Sequence, residues 1–206
     1  MTTYTVDINV DDYWVEQFNL NGYRLIMAKV FEDPQGNDYY NVVATADDVT
    51  PIMTAKWTDK YQITGSTQDF RIGNTISGIS GEAGVKFQQS YVLDSWSEHH
   101  VIDDQSVPDN SFGFKNAITA SAVVQLSLNG EWKSVYMSPL KFPPGKAILT
   151  PLPKVVFWFE ARLESSTMIA MDQSNTILVN LTGSSSATLT YDKKGSWKRD
   201  KSRHDE

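Results

Sequence analysis

Apolar and polar residues alternate along this chain with a period of two, and helical spacing is scarce, so strands are the expected elements. In Tyr4-Thr5-Val6-Asp7-Ile8-Asn9-Val10 the side chains of Tyr4, Val6, Ile8 and Val10 share one face, with Thr5, Asp7 and Asn9 on the other. A slip of one residue would bury Asp7, which specifies the register. Residues 85–93 repeat the pattern, setting Val85, Phe87, Tyr91 and Leu93 against Lys86, Gln88 and Ser90. The longest alternation runs from Ile118 to Leu128. Asn129-Gly130 then offers the positive φ angles of a type I′ turn, and Trp132 to Tyr136 returns, predicting a hairpin.

Lys154 to Leu163 reads as a strand with Val155, Phe157, Phe159 and Ala161 opposite Val156, Trp158, Glu160 and Arg162, and the bulky residues on the second face suggest partial cover on both sides. A second hairpin is expected from Thr176 to Thr182 and Ala187 to Tyr191 around Gly183-Ser184-Ser185-Ser186, after which Asp192 to Gly195 turns the chain towards Trp197. Further turn signals lie at Asp33 to Asn37, at Asp47 to Pro51 and through Gly73 to Gly84. Asp103 to Lys115 and Pro139 to Pro153 read as long loops, the second holding five of the eight prolines, and loops of that length are often functional. Roughly ten strands follow, favouring an all-β, single-domain antiparallel β-sandwich over residues 1–192, with a basic, flexible tail over 193–206.

Composition narrows this. The chain has 206 residues and no cysteine, which removes disulfides, thiolate metal sites and a cysteine nucleophile, and leans towards a reducing compartment. No signal peptide and no apolar run of membrane-spanning length is visible, so a cytoplasmic protein is predicted. The net charge of −7 argues against nucleic acid as a partner. It is uneven: from Lys193 onward six basic and three acidic residues give +3, leaving −10 on residues 1–192.

Known catalytic and nucleotide-binding motifs are missing, and no cofactor or metal is predicted. Glu98-His99-His100 with Asp103-Asp104 has the residue types of a transition-metal or acid–base site, but adjacent strand residues point to opposite faces, so a polar strand end is the plainer reading. The pairs Asp11-Asp12, Asp47-Asp48 and Asp103-Asp104 lack the spacing of a calcium loop. Asn180-Leu181-Thr182 fits a glycosylation acceptor, which carries no weight without a signal peptide. Aromatic residues near turns are the better clue: Tyr13, Trp14, Tyr39, Tyr40, Trp96, Phe112, Phe114 and Trp132 are candidates to stack on sugars, enter a lipid headgroup layer or build an interface, or else to cap the sandwich core.

The opening Thr3 to Val10 and the closing Ala187 to Trp197 resemble the ends of small, signal-less fungal and bacterial all-β proteins, similar in style to the aegerolysins and fungal fruit-body lectins. That resemblance implies a cytosolic sandwich that binds lipids or sugars. No ligand-binding motif of either family maps onto the chain residue by residue, so it transfers no site. Two expectations stand together: a non-catalytic module recognising a glycan or lipid surface, or a self-associating homo-oligomer. An enzyme with an aromatic-lined pocket, using Glu160, Arg162 and His100, is the alternative.

Overall fold

Alternation in β1 (Thr3–Val10) buries Tyr4, Val6, Ile8 and Val10, as the period of two requires. The computed structural model describes every residue except Met1, Pro34, Asp47, Gly78 and residues 201–206; the turn signals at Pro34, Asp47 and Gly78 and the end of the basic tail lie outside the described residues. Asp11 then caps a helix absent from the sequence reading, α1 (Asp12–Leu20), its carboxylate accepting from the Tyr13 N–H at 3.1 Å. Only Trp14, Val15 and Phe18 give this nine-residue helix an apolar side, too little for periodicity to register.

The chain continues through β2 (Tyr23–Glu32), β3 (Asp38–Tyr39), β4 (Val43–Thr45), β5 (Ile52–Ser66), β6 (Ile79–Val85), β7 (Gln89–Ser95), β8 (Glu98–Asp103) and β9 (Phe112–Asn116). The rest is β10 (Ser121–Leu128), β11 (Glu131–Met137), β12 (Gly145–Ala161), β13 (Ile177–Asn180), β14 (Ser186–Tyr191) and β15 (Trp197–Arg199). They form an all-β fold of two facing sheets. One is ordered β11-β10-β5-β1-β14-β15 with β6 also on β5; the other is β3-β2-β12-β9-β7-β8 with β13 on β12 and β4 on β2. The β10–β11 hairpin forms at Asn129 and Gly130, both at positive φ, and β12 is apolar on both faces.

Several expectations are corrected. The sheets are mixed, since β1 pairs β14 and β7 pairs β9 in parallel. The second hairpin does not form: β13 pairs β12 in one sheet, while β14 pairs β1 in the other. Leu181, 1% exposed, is pulled into the core between them and carries the chain across, an arch that a four-residue turn signal cannot distinguish from a hairpin. Most of the supposed Pro139–Pro153 loop is the first half of β12. The basic segment is partly built in, because β15 pairs β14 and the Arg199 guanidinium donates to the Asn180 carbonyl at 3.0 Å.

The core between the sheets includes Ile8, Trp57, Phe112, Phe114 and Phe157, all essentially inaccessible. One charge sits among them. On β2 the inward row is Leu25, Met27, Lys29 and Phe31, and Lys29 is 1% exposed. Its ammonium donates to the Leu152 carbonyl, and among the described residues it has no ion pair. That carbonyl is free because Pro151 and Pro153 have no N–H for the ladder, so the β2–β12 register breaks between Pro151 and Val155. Burial lowers the Lys29 ammonium to about 8, partly opposed by the charge of Asp59.

Between pH 8 and the ordinary lysine value the unfolded chain holds more protons than the folded one, so stability contributed at Lys29 rises with pH. From pH 7 to 9 urea denaturation should show a gain of about 1 kcal/mol in the native chain relative to Lys29→Met, which lacks the titrating group. Parallel pH profiles for the two proteins would contradict it.

Candidate functional site

Where β2 ends and β12 begins, the sheets part and leave an open groove of about 700 Å³. One wall is Phe31, Glu32, the Asp33 turn and Tyr39; the floor and far wall are Ala147 to Thr150 of β12. Tyr136 of β11 and the chain at Pro139, Leu140 and Phe142 close it from the other sheet, with Pro108 at one end. The size suits a small organic ligand, and the lining is mostly apolar.

Backbone and side-chain bonds hold these walls. Asp33 folds its turn by accepting from the N–H groups of Asn37 at 2.7 Å and Gln35 at 2.9 Å, and these bonds, Asn37 first, keep its carboxyl below the usual range. Phe31 packs on Tyr136 with ring centroids 4.6 Å apart, and Tyr39 meets Tyr136 edge-on at 6.4 Å. Burial raises the Tyr136 phenol well above its ordinary value. The Asn41 amide donates to the Tyr39 oxygen at 3.3 Å. The Phe142 N–H donates to the Ala120 carbonyl at 2.8 Å, and the Asn116 amide donates to the carbonyls of Phe142 at 3.0 Å and Pro143 at 2.9 Å. Against this fixed frame two apolar side chains stay in solvent: Leu140 is 79% exposed and Ile148 42%.

Of the aromatic residues singled out from the sequence, only Tyr39 lines the groove. Trp14 packs on Phe18 and Tyr191 and donates its indole N–H to the Lys193 carbonyl at 3.2 Å, capping one end of the core. Tyr40 is half-buried, its hydroxyl on the Met171 carbonyl. Trp132 lies under the Lys60 ammonium at 5.5 Å, and Trp96 stands 41% exposed at the β7–β8 turn. Phe112 and Phe114 are not loop aromatics: both belong to β9 and are completely buried. Tyr13 stands half-exposed, edge-on to Trp14 at 5.1 Å, and the eight residues are therefore dispersed. Phe31, Tyr136, Leu140, Phe142 and Ile148 were missed, and the only sequence signal near them was the proline-rich stretch from Pro139.

The polar clusters are occupied by structural work. His99 stacks on Tyr91 at 5.7 Å, whereas His100 meets Asp94 at 3.1 Å, so the two imidazoles serve different surroundings. Among the described residues no three His, Asp or Glu side chains converge as a metal site. Asp11 caps α1, and Asp103 accepts from the Gln89 amide at 2.9 Å. Glu160 accepts from the Trp158 indole at 2.8 Å, while Arg162 lies beyond the strand end at φ +65°, so the pair does not share a strand face as its spacing suggested. Asp104, almost fully buried, is the most heavily bonded acid: it accepts from the hydroxyls of Ser106 and Ser90, both at 2.6 Å, and from the ammonium groups of Lys115 at 2.9 Å and Lys146 at 3.0 Å. These four donors, Ser106 first, hold its carboxyl far below the usual range and tie the Gln105–Asn110 loop to β9 and β12.

Compared with protein-family models, curated proteins and solved structures, the chain matches none.

A Cβ on Gly113 would sit 2.0 Å from the Ser90 hydroxyl that serves Asp104. Gly113→Ala should therefore lower stability by about 1–3 kcal/mol in urea denaturation, and an unchanged midpoint would count against the network. Stability from a depressed carboxyl is complete above its unfolded value, about 3.9, and is lost as pH falls towards the folded value. Asp104→Asn should flatten the acid limb of the stability profile below that pH, and an acid limb as steep as that of the native chain would argue otherwise.

Proposed function

We propose that this chain is a non-catalytic binding protein whose ligand is a small amphiphile, with its aliphatic or aromatic body seated in the groove between Phe31, Tyr136 and Ile148. The observation that carries this reading is the pair of exposed apolar side chains, Leu140 and Ile148, at the mouth of a groove of about 700 Å³. Apolar surface held in water on a bonded frame is a cost that a ligand relieves, and each buried side chain of this size contributes about 1.5–3 kcal/mol. A sugar fits less well. Saccharide sites pair an exposed ring with many hydrogen-bonding groups, whereas here Tyr136 is buried and the polar lining is confined to Glu32, Asp33, Gln35, Thr150 and the Tyr hydroxyls.

Titration with the neutral fluorophore N-phenyl-1-naphthylamine tests the site. Saturable one-to-one binding is expected, and Leu140→Asp and Ile148→Asp should each weaken it about tenfold while leaving the melting temperature nearly unchanged, since both side chains are exposed. Binding that neither substitution alters would overturn the proposal. Light scattering on the same samples covers the other occupant: a dimer that Leu140→Asp converts to monomer would assign the groove to a second copy of the chain and displace the amphiphile.

A further inference from the structure

We infer that the groove selects amphiphiles carrying a positive charge, an apolar body ending in an ammonium group, over neutral and anionic ones; this rests on the groove being a ligand site. The charges around it point one way. Its lining includes Glu32 and Asp33 and no lysine, arginine or histidine. The bases next to the lining are each spent on another acid: Lys154 on Asp38 at 2.7 Å, Lys146 on Asp104 at 3.0 Å and Lys141 on Asp69 at 2.8 Å. Lys29, inward of Phe31, is engaged with the Leu152 carbonyl inside the core.

The two lip acids differ in availability. Asp33 gives its oxygens to its own turn, including the Asn37 amide at 3.1 Å, and so contributes charge rather than a contact. Glu32 is exposed, and among the described residues its carboxylate has no hydrogen-bond or ion-pair partner. It follows Phe31 at the end of β2, opposite Asp38 of β3, and lines the groove together with Tyr39. The half-buried Tyr39 ring in the lining has a negative quadrupole face that attracts cations, so it favours the same ligand sign as the carboxylates. Low-dielectric apolar walls strengthen that preference and equally penalise a carboxylate or sulfate head.

Three ligands with the same ten-carbon chain, kept below their aggregation concentrations, test this: decyltrimethylammonium, decanol and decanoate, each displacing N-phenyl-1-naphthylamine in about 20 mM salt. The ammonium should bind at least about tenfold more tightly than decanoate, with decanol between them, and the gap should shrink in 0.5 M salt as screening predicts. Glu32→Gln should narrow the ammonium preference about three- to fivefold, and Glu32→Lys should reverse it, with melting curves confirming that both variants fold. Decanol and decanoate binding as well as the ammonium would overturn charge selection while leaving the groove a ligand site. Failure of all three ligands and of the fluorophore would remove the site itself, and the inference with it.

Discussion

The break in β12 at Pro151–Pro153 organises much of this molecule. Residues without N–H groups interrupt its ladder with β2 between Pro151 and Val155: before the break Gly145 to Leu149 pair β9 and Thr150 and Pro151 pair the end of β2, and after it the strand pairs β2 and β13. The break has two consequences along the same backbone. Inward, the released Leu152 carbonyl meets the Lys29 ammonium, which would otherwise lie bare in the core. Just before it, residues 147–150 form the wall of the groove, where the end of β2 and the two-residue β3 leave the space open.

Charge is distributed by the same economy of partners. Lys115, Lys141, Lys146 and Lys154 are neutralised locally, most completely at Asp104, where two ammonium groups and two hydroxyls converge on one buried carboxylate. A buried acid with that many donors anchors a loop and leaves no oxygen free for chemistry. At the groove lip Asp33 is bonded within its own turn and Glu32 faces solvent, neither with a base among the described residues, and the walls are rings and aliphatic groups.

Local patterns were legible wherever the backbone supplies its own evidence. The face of β1, the Asn129-Gly130 turn and the double-sided apolarity of β12 follow from periodicity and φ preference. Short or ambiguous signals failed. The helix α1 has too few apolar positions to display a period, and the Gly183–Ser186 segment carries turn residues whether the chain reverses within one sheet or crosses to the other. Phe112 and Phe114 follow turn-like residues and read as loop aromatics, although β9 lies between β7 and β12 and both side chains are buried in the core.

By itself, the sequence determined the class of fold, because alternation is written into each strand and needs no partner to be read. It also showed that the familiar catalytic and nucleotide-binding motifs are missing. Which strands pair, where the arch crosses and which aromatic rings remain accessible were decided only by the tertiary structure, since pairing is a competition among distant segments for the same hydrogen bonds and the same core. The groove shows this most directly. Phe31, Tyr136 and Ile148 are separated by about a hundred residues or more from first to second, and no local pattern marks them until two sheets close and leave the space between them.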